Sequence, residues 1–165
     1  MQTMICEVCL KSDILCNVCQ GRLDGGEISK TEVDVSKFLY NLSDKIKGLK
    51  DIRLRKVIDS GVLLLIAGRG DAARLVGKSG SVVKTLAKQF NKSIRVVEEA
   101  EDLKKFAQDL ISPTVIVGIN TLYTPEGEIY KIRIPIGQKV YISPENFSEI
   151  IESLYNRRAE LIVEG

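Results

Sequence analysis

The 165-residue chain predicts an α+β fold. Three observations carry that expectation. Apolar residues switch several times between helical spacing and strand alternation. The turn Gly77-Lys78-Ser79-Gly80 interrupts a helical stretch between two apolar strands. Four cysteines, Cys6, Cys9, Cys16 and Cys19, form two C-x2-C pairs near the start and are all the cysteines present. With 44% hydrophobic and 28% charged residues the composition is that of an ordinary globular chain, long enough for one domain or two small ones with an appendage.

The elements follow in order. Met1 to Leu10 holds Glu7 and two cysteines and lacks the apolar core of a secretory signal. The longest apolar run, Val62 to Ala67, is too short for a bilayer. A soluble, cytoplasmic protein without membrane contact is therefore expected. In a reducing compartment, two C-x2-C knuckles facing each other read as one structural zinc site with four thiolate ligands and no open position. Two disulfides or a redox pair are the alternatives. Residues 1–28 form this element, and Gln20 to Glu27 reads as a Gly-rich turn. Ser29 with Glu32 makes a capping box, and Val35, Phe38, Leu39, Leu42 and Ile46 continue at helical spacing to about Lys47.

Asp51 to Asp59 alternates like a strand. Gly61 to Ala67 is apolar throughout, the mark of a central strand. A short helix from about Asp71 to Val76, the glycine turn, and a helix from Ser81 to about Phe90 precede a strand over Ser93 to Glu98. A helix from Glu101 to Ile111 stops near Ser112-Pro113. Two strands, Thr114 to Tyr123 and Glu128 to Pro135, flank the hairpin signal Pro125-Glu126-Gly127. Ser143-Pro144-Glu145 starts a helix through Phe147, Ile150, Ile151, Leu154 and Tyr155. Ala159 to Val163 is the last strand. This hairpin, helix and strand loosely echo the preceding segment without its glycine turn. The division expected is residues 1–28, 29–112 and 113–165.

Charge is unevenly placed. Residues 34–98 hold fourteen basic against six acidic residues, whereas residues 1–33 hold three against five and residues 99–165 seven against eleven. The basic field surrounds the glycine turn and favours phosphate. Histidine is absent, which removes the usual general base at neutral pH. No nucleophile-plus-base arrangement is read, and no small-molecule substrate is expected.

The order helix, strand, strand, helix, Gly-x-x-Gly, helix, strand resembles a type II KH domain. Val76-Gly77-Lys78-Ser79-Gly80-Ser81-Val82-Val83 carries the motif. Val96-Val97-Glu98-Glu99 and the acidic helix ending Leu110-Ile111-Ser112-Pro113 resemble the KH units of archaeal NusA-like transcription factors. The four-cysteine element ahead resembles archaeal zinc-and-KH proteins. The resemblance implies a non-catalytic protein that clamps single-stranded RNA. Its glycines let a sugar-phosphate backbone approach, Lys78 and Ser79 supply a charge and a hydroxyl, and the start of the second helix attracts phosphate. Leu75, Val76 and Val83 would line one side of an apolar floor about four nucleotides long, and the strand ending at Val97 the other. Arg69, Arg74, Lys84 and Lys88 would flank the backbone, and Lys45, Lys47, Lys50, Arg53, Arg55 and Lys56 form a second basic block that either extends the footprint or guards an edge strand. Expected partners are RNA with RNA polymerase, or ribosomal RNA with the small ribosomal subunit. Gly77→Asp with Gly80→Asp is expected to abolish binding while the fold survives.

Three other readings use the same residues. Gly77-Lys78-Ser79 ends like a nucleoside-triphosphate loop, but Ala72 stands where its first glycine belongs. Gly68-x-Gly70-x-x-Ala73 matches a dinucleotide fingerprint after an apolar strand, although its helix would have to pass through the glycine turn. A degenerate KH domain used as a protein adaptor is the third.

Overall fold

The computed structural model describes residues 1–164. The fold is α+β, with two three-stranded sheets. The chain divides into two compact units, Met1–Glu99 and the remainder from Ala100. This division differs from the three segments read off the sequence. The cysteine element shares the first unit with the glycine turn, and the helix expected before Pro113 falls in the second.

In the first unit the elements are α1 (Glu7–Leu10), α2 (Asn17–Asp24), α3 (Lys30–Leu42), β1 (Leu54–Asp59), β2 (Leu63–Ala67), α4 (Ala72–Val76), α5 (Ser81–Phe90) and β3 (Ile94–Glu98). β1 pairs antiparallel with β2, and β2 parallel with β3. β2 is central, and all five of its residues are buried, as its unbroken apolar run requires.

α3 starts where the capping box places it. The Ser29 side chain accepts from the Glu32 amide at 3.1 Å, and Glu32 returns a carboxylate oxygen to the Ser29 amide at 3.2 Å. The second Glu32 oxygen accepts from the Val57 amide at 3.3 Å. The box therefore also ties the helix to β1, which explains a carboxylate only 5% exposed.

Several boundaries differ from the sequence reading. The Gln20 to Glu27 stretch is not all turn, because α2 runs to Asp24 with Gly21 inside it. The Cys16 sulfur accepts from the Cys19 amide and so caps this helix. α3 ends at Leu42 rather than Lys47, where Ser43 turns its hydroxyl back to the Tyr40 carbonyl. β1 starts at Leu54, and the residues just before it form a bridge to Gln2, whose amide donates to the Ile52 carbonyl at 3.0 Å and whose carbonyl accepts from the Leu54 amide at 2.8 Å.

The core explains why the cysteine element is not separate. Met4, Ile5, Cys9, Leu10 and Cys19 pack in one buried cluster with Val35, Leu39, Leu65 and Leu86. A short metal-type element has little apolar surface of its own to bury. Here it borrows the sheet's.

The second unit holds α6 (Leu103–Ile111), β4 (Gly118–Thr124), β5 (Gly127–Pro135), α7 (Pro144–Tyr155) and β6 (Arg158–Glu164). β4 pairs antiparallel with β5, and β5 parallel with β6. β4 begins four residues later than its apolar pattern indicates, because Gln108 bonds the Thr114 carbonyl and the Ile116 amide instead. Ser143 caps α7 through the Asn146 amide, and Pro144 follows at the first turn, as read. Phe147, Ile150 and Ile151 bury its inner face. Among the described residues no helix is long and apolar enough to cross a membrane.

Candidate nucleic-acid interface and metal centre

A parallel β2–β3 pair needs a crossover, and in the first unit that crossover is broken in the middle. α4 ends at Val76. Gly77 then takes φ 81° and ψ 169°, Ser79 φ 56° and Gly80 φ 75°. Positive φ is costly for a residue with a side chain. A Cβ on Gly77 would lie 2.6 Å from Val82 Cγ2 and 2.9 Å from the Val82 amide nitrogen. Gly77 is thus required by the approach of its own following helix. Gly80 is required by conformation alone, since a Cβ there would meet nothing closer than 3.7 Å.

The turn is open to solvent. Lys78 and Ser79 are exposed and the two glycines half-buried. No side chain caps the N-terminus of α5, which leaves the positive end of a ten-residue helix facing outward. The Lys84 side chain runs back beside Gly80, its Cε 3.8 Å from the place of a Gly80 Cβ. Lys88 is exposed one turn further along the same face.

The structure sorts the residues named from the sequence. Lys78, Ser79, Lys84 and Lys88 are exposed around the turn, with Val76 and Val83 beside them at the surface. Leu75 and Val97 are not surface floor. They are 0% and 4% exposed, because apolar residues on these faces serve the core first. Arg74 is ion-paired to Asp71. Arg69 lies on an exposed loop whose backbone carbonyl accepts from Arg53 at 2.6 Å. In the second basic block, Arg53 and Arg55 pair with Asp71 and Glu99.

Asp71 was read from the sequence only as the start of a short helix, yet it organises the entry to α4. Its side chain is 1% exposed. It accepts from the Arg53 amide at 3.0 Å and the Arg53 Nε at 2.9 Å, and pairs with Arg74. Burial alone would raise its pKa, but these donors outweigh burial and hold the carboxyl below its usual range. The Gly70 amide donates to Glu98 at 3.1 Å. The Gly70 amide of the Gly68-x-Gly70 loop is therefore already taken by a carboxylate of the protein itself, and α4 after it is only five residues long. The long helix of a dinucleotide fingerprint is not formed. The only sequence signal for this network was an acidic residue after a Gly-x-Gly turn.

The cysteines converge. Cys6 and Cys16 take matching extended positions, φ −73° and −67°, each just ahead of a helix. All four sulfurs lie within 4.8 Å of one another. Cys6 Sγ is 3.4 Å from Cys9 Sγ and 3.9 Å from Cys16 Sγ. A tetrahedron with metal–sulfur bonds of about 2.3 Å has edges of about 3.8 Å, so the cluster has the size a metal ion needs. None of the four is in a disulfide. Backbone amides point at the sulfurs, Cys16 to Cys9 at 3.1 Å, Cys19 to Cys16 at 3.4 Å and Cys6 to Cys19 at 3.5 Å. Such donors favour thiolate. The Cys19 amide, helped by Cys9, lowers Cys16 to about 7. Cys9 accepts the Cys16 amide, but burial and the neighbouring thiols push it up to about 12. Four such sulfurs in contact are a donor set suited to a thiophilic cation.

The fold and these two features define an α+β protein with a helix–Gly-x-x-Gly–helix turn and a four-cysteine cluster. No protein-family model matches the chain. Locally it is similar to archaeal proteins described as "Probable transcription termination protein NusA". The identity is 33% over 55 residues for that of Methanococcus vannielii, covering 33% of this chain and 32% of the relative. It is 30% over 57 residues for that of Methanocaldococcus jannaschii, covering 34% and 31%. The match thus spans about a third of each curated relative. A solved structure described as "Crystal structure of APE1850" superposes with a TM-score of 0.57 over 78% of this chain and 96% of that one, at 18% identity. That likeness is one of fold.

Proposed function

We propose that the protein is a non-catalytic, cytoplasmic RNA-binding factor that holds single-stranded RNA at the Gly77–Gly80 turn and acts in transcription. The observation that carries this reading is the break between α4 and α5. It exposes Lys78, Ser79 and an uncapped helix N-terminus in the most basic part of the chain. A phosphate at the turn would meet helix amides and the ammonium groups of Lys78 and Lys84. Bases would lie on the surface offered by Val76 and Val83. The local similarity to proteins named for transcription termination favours transcription over the ribosome, with nascent RNA and RNA polymerase as partners. Zinc is the metal that best suits four cysteine sulfurs in this geometry. When bound it would hold the two knuckles together, contributing about 10–16 kcal/mol in comparable peptides. Cys6, Cys9, Cys16 and Cys19 would be its ligands, and all four positions being filled makes the role structural.

The test is Lys78→Asp with Ser79→Asp. Both residues are exposed, so stability should stay within about 0.5 kcal/mol. Fluorescence anisotropy with a labelled short single-stranded RNA should show at least a tenfold loss of affinity. An undiminished affinity in a variant with an unchanged melting curve overturns the proposal. The double replacement of Gly77 and Gly80 by Asp is a poorer test than the sequence indicated. Any Cβ at position 77 collides with Val82, so that variant also damages the fold.

A further inference from the structure

We infer that the outer face of the four-cysteine element is a docking surface for a protein segment that is both aliphatic and basic. Val8, Ile14 and Val18 are 70%, 77% and 72% exposed. In the same element Met4, Ile5 and Leu10 are buried, so the segment had apolar positions available inside and still presents three β-branched residues to water. Val8 and Val18 are not scattered. Each is the third residue of a Cys-x-Val-Cys knuckle, and the four sulfurs lie within 4.8 Å of one another. The two valines therefore flank one metal site, and Ile14 lies two residues before Cys16. Metal binding does not ask for aliphatic residues at these positions. Several large apolar groups grouped at a surface mark a contact with another molecule.

Charge selects the occupant. Glu7 precedes Val8 and Asp13 precedes Ile14. Both carboxylates are exposed, and neither takes part in the ion pairs of the described residues. Lys11 is the one basic side chain between Cys6 and Cys19. With a divalent ion held there, four thiolates would add about two further negative charges. The face is apolar and anionic together. It repels RNA phosphate and complements a protein strand or helix that carries aliphatic residues interspersed with Lys or Arg. The basic turn at Gly77–Gly80 and this face thus suit two different partners.

The test uses the full, zinc-loaded chain and three labelled peptides of equal length, one alternating Lys with Val and Leu, one Glu with Val and Leu, one Lys with Ser. Anisotropy should rank the first at least tenfold tighter than the other two. The variant Val8→Thr/Ile14→Thr/Val18→Thr keeps the branching at Cβ and should lose at least tenfold for the first peptide, with zinc content and RNA affinity unchanged. Ile14→Thr alone lies outside both knuckles and should lose part of that affinity, which keeps the test valid if the triple variant drops its metal. Equal binding of the Glu or Lys–Ser peptide, or a loss under twofold in both variants, overturns the inference. So does self-association in sedimentation that the triple variant abolishes, because the face would then belong to a second copy.

Discussion

The two units carry the same plan and use it differently. Each runs helix, strand, strand, crossover, strand, with the first two strands antiparallel and the last two parallel. Each closes its crossover on an Asn in the left-handed region, Asn91 and Asn156, both at φ 52°. Each sets an aromatic at the end of that crossover helix against one on its first helix, Phe90 with Phe38 at 5.7 Å and Tyr155 with Phe106 at 5.6 Å. The difference lies inside the crossover. In the first unit it is two helices hinged at Gly77–Gly80, and α5 carries Lys84 and Lys88 with no acidic residue. In the second it is one twelve-residue helix, capped by Ser143 and carrying Glu145, Glu149 and Glu152. A phosphate chain is attracted by one crossover and repelled by the other. The topology is therefore common to both units, and the proposed RNA site rests on a four-residue interruption and the charge around it.

The largest effect that separates the units should come from removing the metal proposed at the four cysteines. Cys9 and Cys19 sit in the core that holds α3 and the first sheet together, so a chelator should strip hydrogen-exchange protection from Met1–Glu99 and leave the second unit protected. Equal loss in both units would show that they do not fold independently. A smaller effect should distinguish the two glycines. Gly77→Ala forces a Cβ against Val82 and should cost about 2–4 kcal/mol. Gly80→Ala has room and should cost only the conformational penalty of about 1–2 kcal/mol. Thermal or denaturant unfolding of both variants measures the gap, and equal costs would mean that Val82 does not hold the turn.

The smallest effect is on acid stability. The folded pKa of Asp71 is depressed, so its contribution is fully present above the unfolded value of 3.8 and is lost as the pH falls through the folded one. Asp71→Asn should be less stable near neutral pH and should show a shallower decline below pH 4 than the unaltered chain. Parallel acid limbs would mean that the Arg53 and Arg74 contacts do not stabilise the charged carboxylate.

Much of this was legible in the sequence because it depends on local chemistry. The capping box at Ser29, the all-apolar β2, the Ser143-Pro144 start and the glycine break each rest on residues within one or two turns of each other. The four-cysteine spacing likewise announces its own convergence. What could not be read depends on distant partners. Leu75 and Val97 look like groove residues in a linear motif, and only packing assigns them to the core. Arg53 and Arg74 look like free cations until Asp71 is found between them, 18 and three residues away. The packing of the cysteine element belongs with these, since its hydrophobic partners lie on α3 and the sheet.

The most direct test of the central claim is an amide chemical-shift titration of the zinc-loaded full chain with a short single-stranded RNA. The account predicts perturbations concentrated at Gly77–Gly80, Val76 and the first turn of α5, with α7 unaffected. Perturbations confined to the second unit, or none at RNA concentrations that saturate other single-strand binders, would contradict it.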